Sequence, residues 1–503
     1  MNGARPCSSD QRAYTFEQLG GGPDRTRTCG LRFRKPPLYP SELRGRPVVF
    51  SATRALVQVI WERRPKRNGA GPVKKGEGSG KLDPRLVPRA VLDVLRRLSS
   101  GGHEAWLVGG GVRDLLREKR SRPPKDWDIA TAARPDEVMR LFRRVIPTGV
   151  KHGTVTVLTK SAPVEVTTFR GEAGYTDARR PDRVEFIDRI EEDLARRDFT
   201  INAIAWNPFS GELRDPFGGM EDLRRGLVRA VRDPLERFTE DGLRPMRAVR
   251  LACVLEISLE EKTAAAIPQA LGSFGKVAIE RVRQEIERIM LAPRPSIGLA
   301  LMRKTGLLES VIPELAREEE EAFVTRLRAI DGTERMLHLR LAILLSEQIE
   351  GGGSVSTPSQ ILEGLRFPRS VVASVETLLG VADWRSLESM RPADRRRILA
   401  RVGLENAKDV ACLWRALASS HGDSEQAGKV AFLASELEAE AKRCPPVSAK
   451  DLAITGREIM SLLGLGPGPK VGEAISYLLD IVIEDPRRNE PDELRAALEA
   501  WWE

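Results

Sequence analysis

Asp126 and Asp128 stand at i and i+2 in Lys125-Asp126-Trp127-Asp128-Ile129. In an extended segment that spacing puts both carboxylates on one face. Side by side, two carboxylates repel unless a cation lies between them, and hard oxygen ligands of this kind suit Mg²⁺. With two ions bound, one would activate a ribose 3′-hydroxyl and the other would stabilise a leaving pyrophosphate. The same pattern also occurs as an ordinary solvated pair in an acidic surface loop, so the neighbouring residues decide between the readings.

Upstream, Leu107-Val108-Gly109-Gly110-Gly111-Val112-Arg113-Asp114 reads as a strand, a glycine turn and a helix start. Glycines such as Gly109 and Gly110 let backbone N–H groups approach phosphates at a positive helix end. The rival reading is the dinucleotide fingerprint of a nicotinamide dehydrogenase. Asp114 stands where that fingerprint needs its third glycine, which counts against it.

The elements around these residues point to a small mixed sheet flanked by helices. Apolar residues at Val91, Leu92, Val94, Leu95 and Leu98 predict a helix that stops at Gly101-Gly102. Strands are predicted over Ala105 to Val108, Asp126 to Ile129, Thr154 to Leu158 and Val164 to Phe169. Helices are predicted from Val112 to Glu118 and from Pro135 to Arg143. From Pro234 onward the periodicity is almost wholly helical, interrupted by Gly/Pro loops near Gly351 to Ser354 and Gly464 to Pro469. The fold class is therefore α+β: a sheet-bearing head followed by helices.

Composition sets the limits. At 503 residues several domains are expected; hydrophobic residues make up 41% and charged residues 30%, which suits a globular protein rich in surface charge. No apolar run approaches the length of a membrane span, so a cytoplasmic protein with no membrane association is expected. Cys7, Cys29, Cys253, Cys412 and Cys444 form no CxxC pair, which argues against a zinc ribbon or a disulfide framework. The net charge is +9 and the pI near 9.4, compatible with a polyanionic partner and equally with an arginine-rich protein that binds no nucleic acid. Residues 1–83 carry Gly, Pro and Arg clusters and little apolar periodicity, which predicts a basic, disordered extension. Within it, Gly22 to Gly45 resembles the conceptual translation of a tRNA gene region, which predicts a true start further downstream; the alternative is a real basic tail that adds weak RNA affinity.

Further motifs follow in order: Arg196-Arg197-Asp198-Phe199-Thr200-Ile201-Asn202-Ala203, Asp215-Pro216-Phe217-Gly218-Gly219, and Glu240-Asp241-Gly242-Leu243-Arg244. With LVGGGVRD and DWDIAT before them, they resemble the class II CCA-adding enzyme and bacterial poly(A) polymerase family, from about residue 84 to the C-terminus. The resemblance implies a nucleotidyltransferase head (84–215), a helical neck with a base-recognition helix (216–330), a helical body (331–445) and a tRNA-binding helical tail (446–503). It implies metals on Asp126 and Asp128, Asp198 near the incoming ribose or the metals, and Arg197 near the triphosphate, with Arg113 among the nucleotide-binding residues. Glu165 is either a further catalytic acid on the facing strand or the partner of a nearby arginine. Asn202 either contacts the ribose or is a structural helix residue.

Asp241 and Arg244, three residues apart, would share one face if both lie on a helix. A carboxylate accepts and a guanidinium donates. Cytosine and adenine each offer an amino donor beside a ring-nitrogen acceptor, and guanine and uracil reverse the order. One Asp–Arg template could thus take CTP and ATP and leave buried groups unpaired against GTP and UTP. Gly242 stands where the family often has proline, and Pro245 could shift or kink the helix start. Arg247 and Arg250 would extend the same face, as buttress or phosphate contact.

Three segments bear on the choice of RNA. Thr148 to Val155 resembles the CCA-adding branch, with His152 structural or close to the nucleotide. Arg170 to Val184 resembles the family's flexible loop, needed for terminal A addition. Ile454 to Glu458 with Gly464 to Gly472 resembles the tRNA-gripping tail, and Gly466, Gly468, Lys470 and Gly472 are its candidate RNA contacts. No HD motif is visible among the four histidines, which predicts no accessory phosphohydrolase. The expectation is Mg²⁺-dependent CCA addition to tRNA; poly(A) or A-only addition, or a non-catalytic RNA-binding protein, are the alternatives.

Overall fold

The computed structural model describes residues 82–117, 124, 126–173, 183–346, 357–384 and 389–502. The expected N-terminal extension up to residue 81, the Gly351–Ser354 loop and the centre of the Arg170–Val184 segment lie outside the described residues.

Helix α1 (Arg89–Ser100) buries Val91, Val94, Leu95 and Leu98, a stripe at i, i+3, i+4 and i+7. Gly101 caps its C-terminus through its N–H on the carbonyls of Arg97 and Leu98. Then come β1 (Ala105–Val108), α2 (Gly110–Leu116), β2 (Asp128–Thr131), α3 (Pro135–Leu141), β3 (Val145–Gly149), β4 (Thr154–Leu158) and β5 (Pro163–Thr168). A hairpin of β6 (Arg170–Ala173) and β7 (Arg183–Phe186) precedes α4 (Ile190–Ala195), β8 (Ala205–Trp206) and β9 (Leu213–Arg214).

Seven strands form one sheet in the order β3-β4-β5-β2-β1-β8-β9. Within it β2 and β5 run parallel, and the other pairs are antiparallel. Alternation sorts the two faces. Leu107, Ile129, Val155, Val157, Val164 and Val166 pack with the apolar stripe of α1. On the opposite face, Trp106, Val108 and Ala130 cluster with Phe169 and with Ile190 and Leu194 of α4. Farther along that face, at the start of β2 and next to β5, the apolar cover gives way to acids.

The chain goes on with α5 (Gly219–Arg225), β10 (Leu227–Val228), α6 (Pro234–Glu240), α7 (Arg244–Leu255), β11 (Ser258–Leu259) and α8 (Glu261–Ala266). It continues with α9 (Leu271–Phe274), α10 (Ile279–Met290) and α11 (Pro295–Lys304). One hydrophobic cluster runs without a break from Phe199 and Ile201 in the head through these helices to Leu437 and Val447. The last three helices, Gly456–Leu463, Pro469–Glu484 and Pro491–Trp502, have a core of their own built on Ile459, Val471, Ala474, Leu478, Val482 and Leu498. Among the described residues no helix is long and apolar enough to cross a membrane.

Candidate active site

Strand β2 begins at Asp128, two residues later than the sequence pattern predicts, and Asp126 lies just before it. The alternation nonetheless extends upstream. Trp127 and Ile129 are buried while Asp126 and Asp128 face outward. Gly111 makes this possible: a Cβ there would sit 3.0 Å from the Asp126 carbonyl oxygen and 3.2 Å from the Trp127 ring. The third glycine of the turn therefore serves packing of the acidic segment against the start of α2. That helix starts at Gly110, earlier than its apolar residues suggest.

Gly109 lies beside Asp128 and Arg197. Its φ of +73° is one that side-chain-bearing residues rarely adopt, and a Cβ there would lie 3.1 Å from Asp128 Oδ2 and 3.4 Å from Arg197 Nη1. The glycine turn, the metal-pair candidate and the arginine of the RRD segment thus meet at one point. Gly110 lies beside the Arg113 guanidinium.

Glu165 pairs with Asp128 across the parallel β2–β5 ladder, so the two carboxylates rise from the same face. No arginine pairs with Glu165 among the described residues, which weakens the ion-pair alternative. Burial pushes the Asp128 carboxyl up; the nearby Arg197 opposes this and Asp126 adds to it. The Glu165 carboxyl is pushed up by burial and then by the charges of Asp128 and Asp126. These acids repel one another, a condition that a bound cation relieves. Among the described residues no three His, Cys, Asp or Glu side chains gather closely enough to form a complete metal cage. Asp126, Asp128 and Glu165 are hard oxygen donors, the kind of ligand that suits a divalent metal ion.

Asp198 faces the neck. Its Oδ2 accepts from Arg247 Nε at 2.9 Å and Nη2 at 2.5 Å, and its Oδ1 accepts from Asn202 Nδ2 at 3.1 Å and from the Phe199 N–H at 2.8 Å. Burial would raise its pKa, but the charge of Arg247 and these hydrogen bonds win and hold it well below the usual carboxylate range. Asn202 Oδ1 in turn accepts from Arg113 Nη1 at 2.7 Å. Arg113, Asn202, Asp198 and Arg247 form one chain of polar contacts from the glycine turn to the neck. Gly219 lets α5 close over this segment, since a Cβ there would be 2.1 Å from the Thr200 carbonyl oxygen.

Asp241 and Arg244 do not share a helix. Asp241 is the extended residue that ends α6, and Arg244 opens α7, with Pro245 in the first turn where a missing N–H costs nothing. The chain turns between them because Gly242 packs where any Cβ would lie 2.3 Å from the Ser273 carbonyl oxygen. Arg281 Nη1 and Nη2 donate to the two oxygens of Asp241 at 3.2 and 3.0 Å. Arg244 Nη1 donates to Glu240 Oε2 at 2.6 Å and to the Arg237 carbonyl at 3.0 Å, and Nη2 donates to the Arg196 carbonyl at 3.1 Å. Arg250 pairs with Glu285, so it buttresses the neck.

Sequence reasoning singled out none of Asp193, Arg281 and Glu285, and it noted Glu240 only as a letter of a motif. Spacing could have found two of them: Asp193 lies three and four residues before Arg196 and Arg197, and Glu240 four before Arg244. His152 offers its carbonyl to Arg170, a structural contact. In the tail, Thr455 and Glu458 form a capping box at 2.7–3.3 Å. Gly464 closes that helix in the left-handed region, and Gly468 precedes the next one. The Lys470 ammonium lies 5.1 Å from the centroid of the Trp502 ring, and no Cβ added at Gly466 or Gly472 would meet a neighbour.

Residues 105–229 match the poly A polymerase head domain, 256–319 the RNA and SrmB-binding site of polymerase A, and 352–498 the tRNA nucleotidyltransferase domain 2. The chain is 34% identical over 408 residues to the CCA-adding enzyme of Anoxybacillus flavithermus, covering 81% of this chain and 96% of that protein. It belongs to the CCA-adding enzyme family. The CCA-adding enzyme of a Geobacillus species is 35% identical over 396 residues, 78% of this chain and 92% of that one. Among solved structures, the Bacillus stearothermophilus CCA-adding enzyme in complex with CTP superposes with a TM-score of 0.68 at 32% identity, covering 82% of this chain and 97% of its own. A tRNA nucleotidyltransferase complexed with a primer tRNA and an incoming ATP analogue matches with a TM-score of 0.54 at 25% identity, over 69% of this chain and 98% of its own. The family's α+β architecture, a sheet-bearing head on a long helical array, is the one described here, and Asp126 and Asp128 stand on that head beside its glycine turn.

Proposed function

We propose that this chain adds C, C and A in turn to the 3′ end of tRNA, taking CTP and ATP and releasing pyrophosphate. The observation that carries the reading is alignment with CCA-adding enzymes over nearly their whole length, with the acidic pair, the RRD segment and the Glu240–Arg244 segment all in place.

Asp126 and Asp128 would hold Mg²⁺, with Glu165 on the adjoining strand. When bound, the metal supplies positive charge to the attacking hydroxyl and the departing pyrophosphate. The protein's own groups do the placing. Gly109 and Gly110 leave room for phosphates to approach the backbone, and Arg197 offers its guanidinium beside Asp128. Asp241 and Arg244 read the base as a template held by partners. Asp241 Oδ1 accepts from Arg281 and from the Leu243 N–H, while Oδ2 accepts from Arg281 alone, and Arg244 keeps its Nε–H and one Nη2–H beyond the bonds described above. An acceptor on Oδ2 and donors on Arg244 thus remain for an amino group and a ring nitrogen, with their holders already fixed.

The head (84–215), neck (216–330), body (331–445) and tail (446–503) divide the work into transfer, base choice, spacing and tRNA grip. The grip falls to the tail around Gly466, Gly468, Lys470 and Gly472, in a cytoplasmic enzyme. The test is incubation of purified protein with tRNA transcripts ending before CCA, after C and after CC, with CTP and ATP supplied singly and together. Full CCA on the first transcript is expected. Extension of the CC transcript alone would identify A-only addition, untemplated A runs would identify a poly(A) polymerase, and no extension would defeat the reading.

A further inference from the structure

Asp193 lies on α4 with no exposed side-chain surface. A carboxylate taken wholly out of water is costly unless charge and hydrogen bonds compensate it. Here two guanidiniums do so. Asp193 Oδ1 accepts from Arg196 Nε at 2.9 Å and Nη2 at 2.7 Å, and Oδ2 accepts from Arg197 Nη2 at 3.2 Å. Burial works to raise the carboxyl's pKa, and the two arginines outweigh it and lower it.

These partners reach in three directions. Arg197 extends to Gly109 and the charge of Asp128, and its Nε is buried with no hydrogen-bond acceptor among the described residues. The Arg196 carbonyl accepts from Arg244, the arginine of the base template. The backbone N–H of Arg170, at the start of β6, donates to Asp193 Oδ1 at 3.4 Å. Without the carboxylate, two neighbouring guanidiniums would repel each other in a poorly solvated space, and Arg197 would leave Asp128.

We propose that Asp193 is a positioning residue for nucleotide binding, acting through Arg197 on the triphosphate and through the Arg196 carbonyl on Arg244. This rests on the proposed CCA-adding function, with Arg197 near the triphosphate as the family resemblance implies. The test uses the full chain carrying Asp193→Asn, Arg197→Lys or both, assayed for single-nucleotide addition to tRNA and for direct CTP and ATP binding by calorimetry. Asn keeps the size and removes the charge. The KM and Kd for both nucleotides should rise about tenfold, the scale of one charge-assisted hydrogen bond, while the KM for tRNA stays put. The double variant should lose less nucleotide affinity than the product of the two single losses, because Asp193 acts in part through Arg197.

A merely structural role would lower the melting temperature and the active fraction without moving nucleotide KM. That result, or losses that multiply in the double variant, would overturn the proposal. Should Asp193→Asn fail to fold, Asp193→Glu keeps the charge but displaces the carboxylate by a methylene. The same rise in nucleotide KM is expected of it, and an unchanged KM counts against the proposal. A wild-type chain that binds CTP yet extends no tRNA would defeat the proposed function, and the binding titration would still judge Asp193.

Discussion

Asp128 is placed where its charge is most awkward: half-buried, next to Asp126 and level with Glu165 on the neighbouring strand. Such a site holds three acids at once only with positive charge nearby. Arg197 supplies part of it, and a divalent cation would supply the rest. Replacing Asp128 or Asp126 by Asn keeps the shape and removes a proposed metal ligand. Incorporation of labelled CTP into tRNA should fall by at least about 10³-fold, the scale seen when a group that stabilises transition-state charge is lost. A gel-shift assay should find tRNA binding intact, because the proposed tRNA contacts lie in the tail. Loss of tRNA binding together with activity would instead mean that the acids support the fold.

The proposed base template is an arrangement of elements, and the sequence was misleading about it in an instructive way. Three-residue spacing suggests one helical face, but α6 ends at Glu240 and α7 begins at Arg244, with Gly242 packed against the Ser273 carbonyl between them. The residue types were legible because hydrogen-bonding chemistry depends on type; their geometry was not, because it depends on a close backbone approach 31 residues away in the chain. The same holds for the head: strands with alternating Val, Ile and Leu were legible, whereas β3, with Ile146 exposed, and the two-residue β8 and β9 carry too little apolar pattern to be read. Asp241→Ala removes the acceptor and frees Arg281. Selection against GTP and UTP should relax by about one to two orders of magnitude in competition assays, since unpaired buried groups no longer penalise the wrong base. The head–neck joint gives a second prediction. Asp198 is depressed in the fold, so its contribution to stability is complete above the ordinary carboxylate range near pH 4 and is lost as pH falls through the depressed value. Arg247→Met leaves that carboxylate buried without its cation. It should cost about 1–3 kcal/mol at neutral pH, at the low end because Arg247 is partly open to solvent, and move the midpoint of acid unfolding to higher pH. Far-UV circular dichroism across an acid titration checks both, and an unmoved midpoint would dismiss the coupling.

At the scale of the whole molecule, the proposed function requires a tail that grips RNA to stay at a fixed distance from the proposed metal site. One hydrophobic cluster runs from Phe199 to Val447, whereas the last three helices have a core of their own, so polar contacts across the junction help to attach them. Arg396, in the helix Pro392–Val402, makes such contacts. Its Nε donates to the Ile483 carbonyl at 2.6 Å and its Nη2 to the Glu484 carbonyl at 2.8 Å, capping the last turn of the tail helix Pro469–Glu484. A cation at a helix C-terminus satisfies carbonyls that have no partner within the helix and faces the negative end of its dipole. Arg396 Nη1 also donates to the buried Glu440 at 2.7 Å, and Arg391 and Arg397 add contacts from the same helix to Glu484. Arg396→Met keeps most of the stem's volume and removes all three charge-assisted bonds, so the tail should loosen while the head stays intact. The KM for tRNA should rise by about tenfold with the KM for CTP unchanged, and limited proteolysis should release the tail segment sooner than in the parent chain. A rise in the CTP KM of equal size would show that the loosening reaches the head through the shared cluster, and an unmoved tRNA KM would show that tail placement does not depend on this cap.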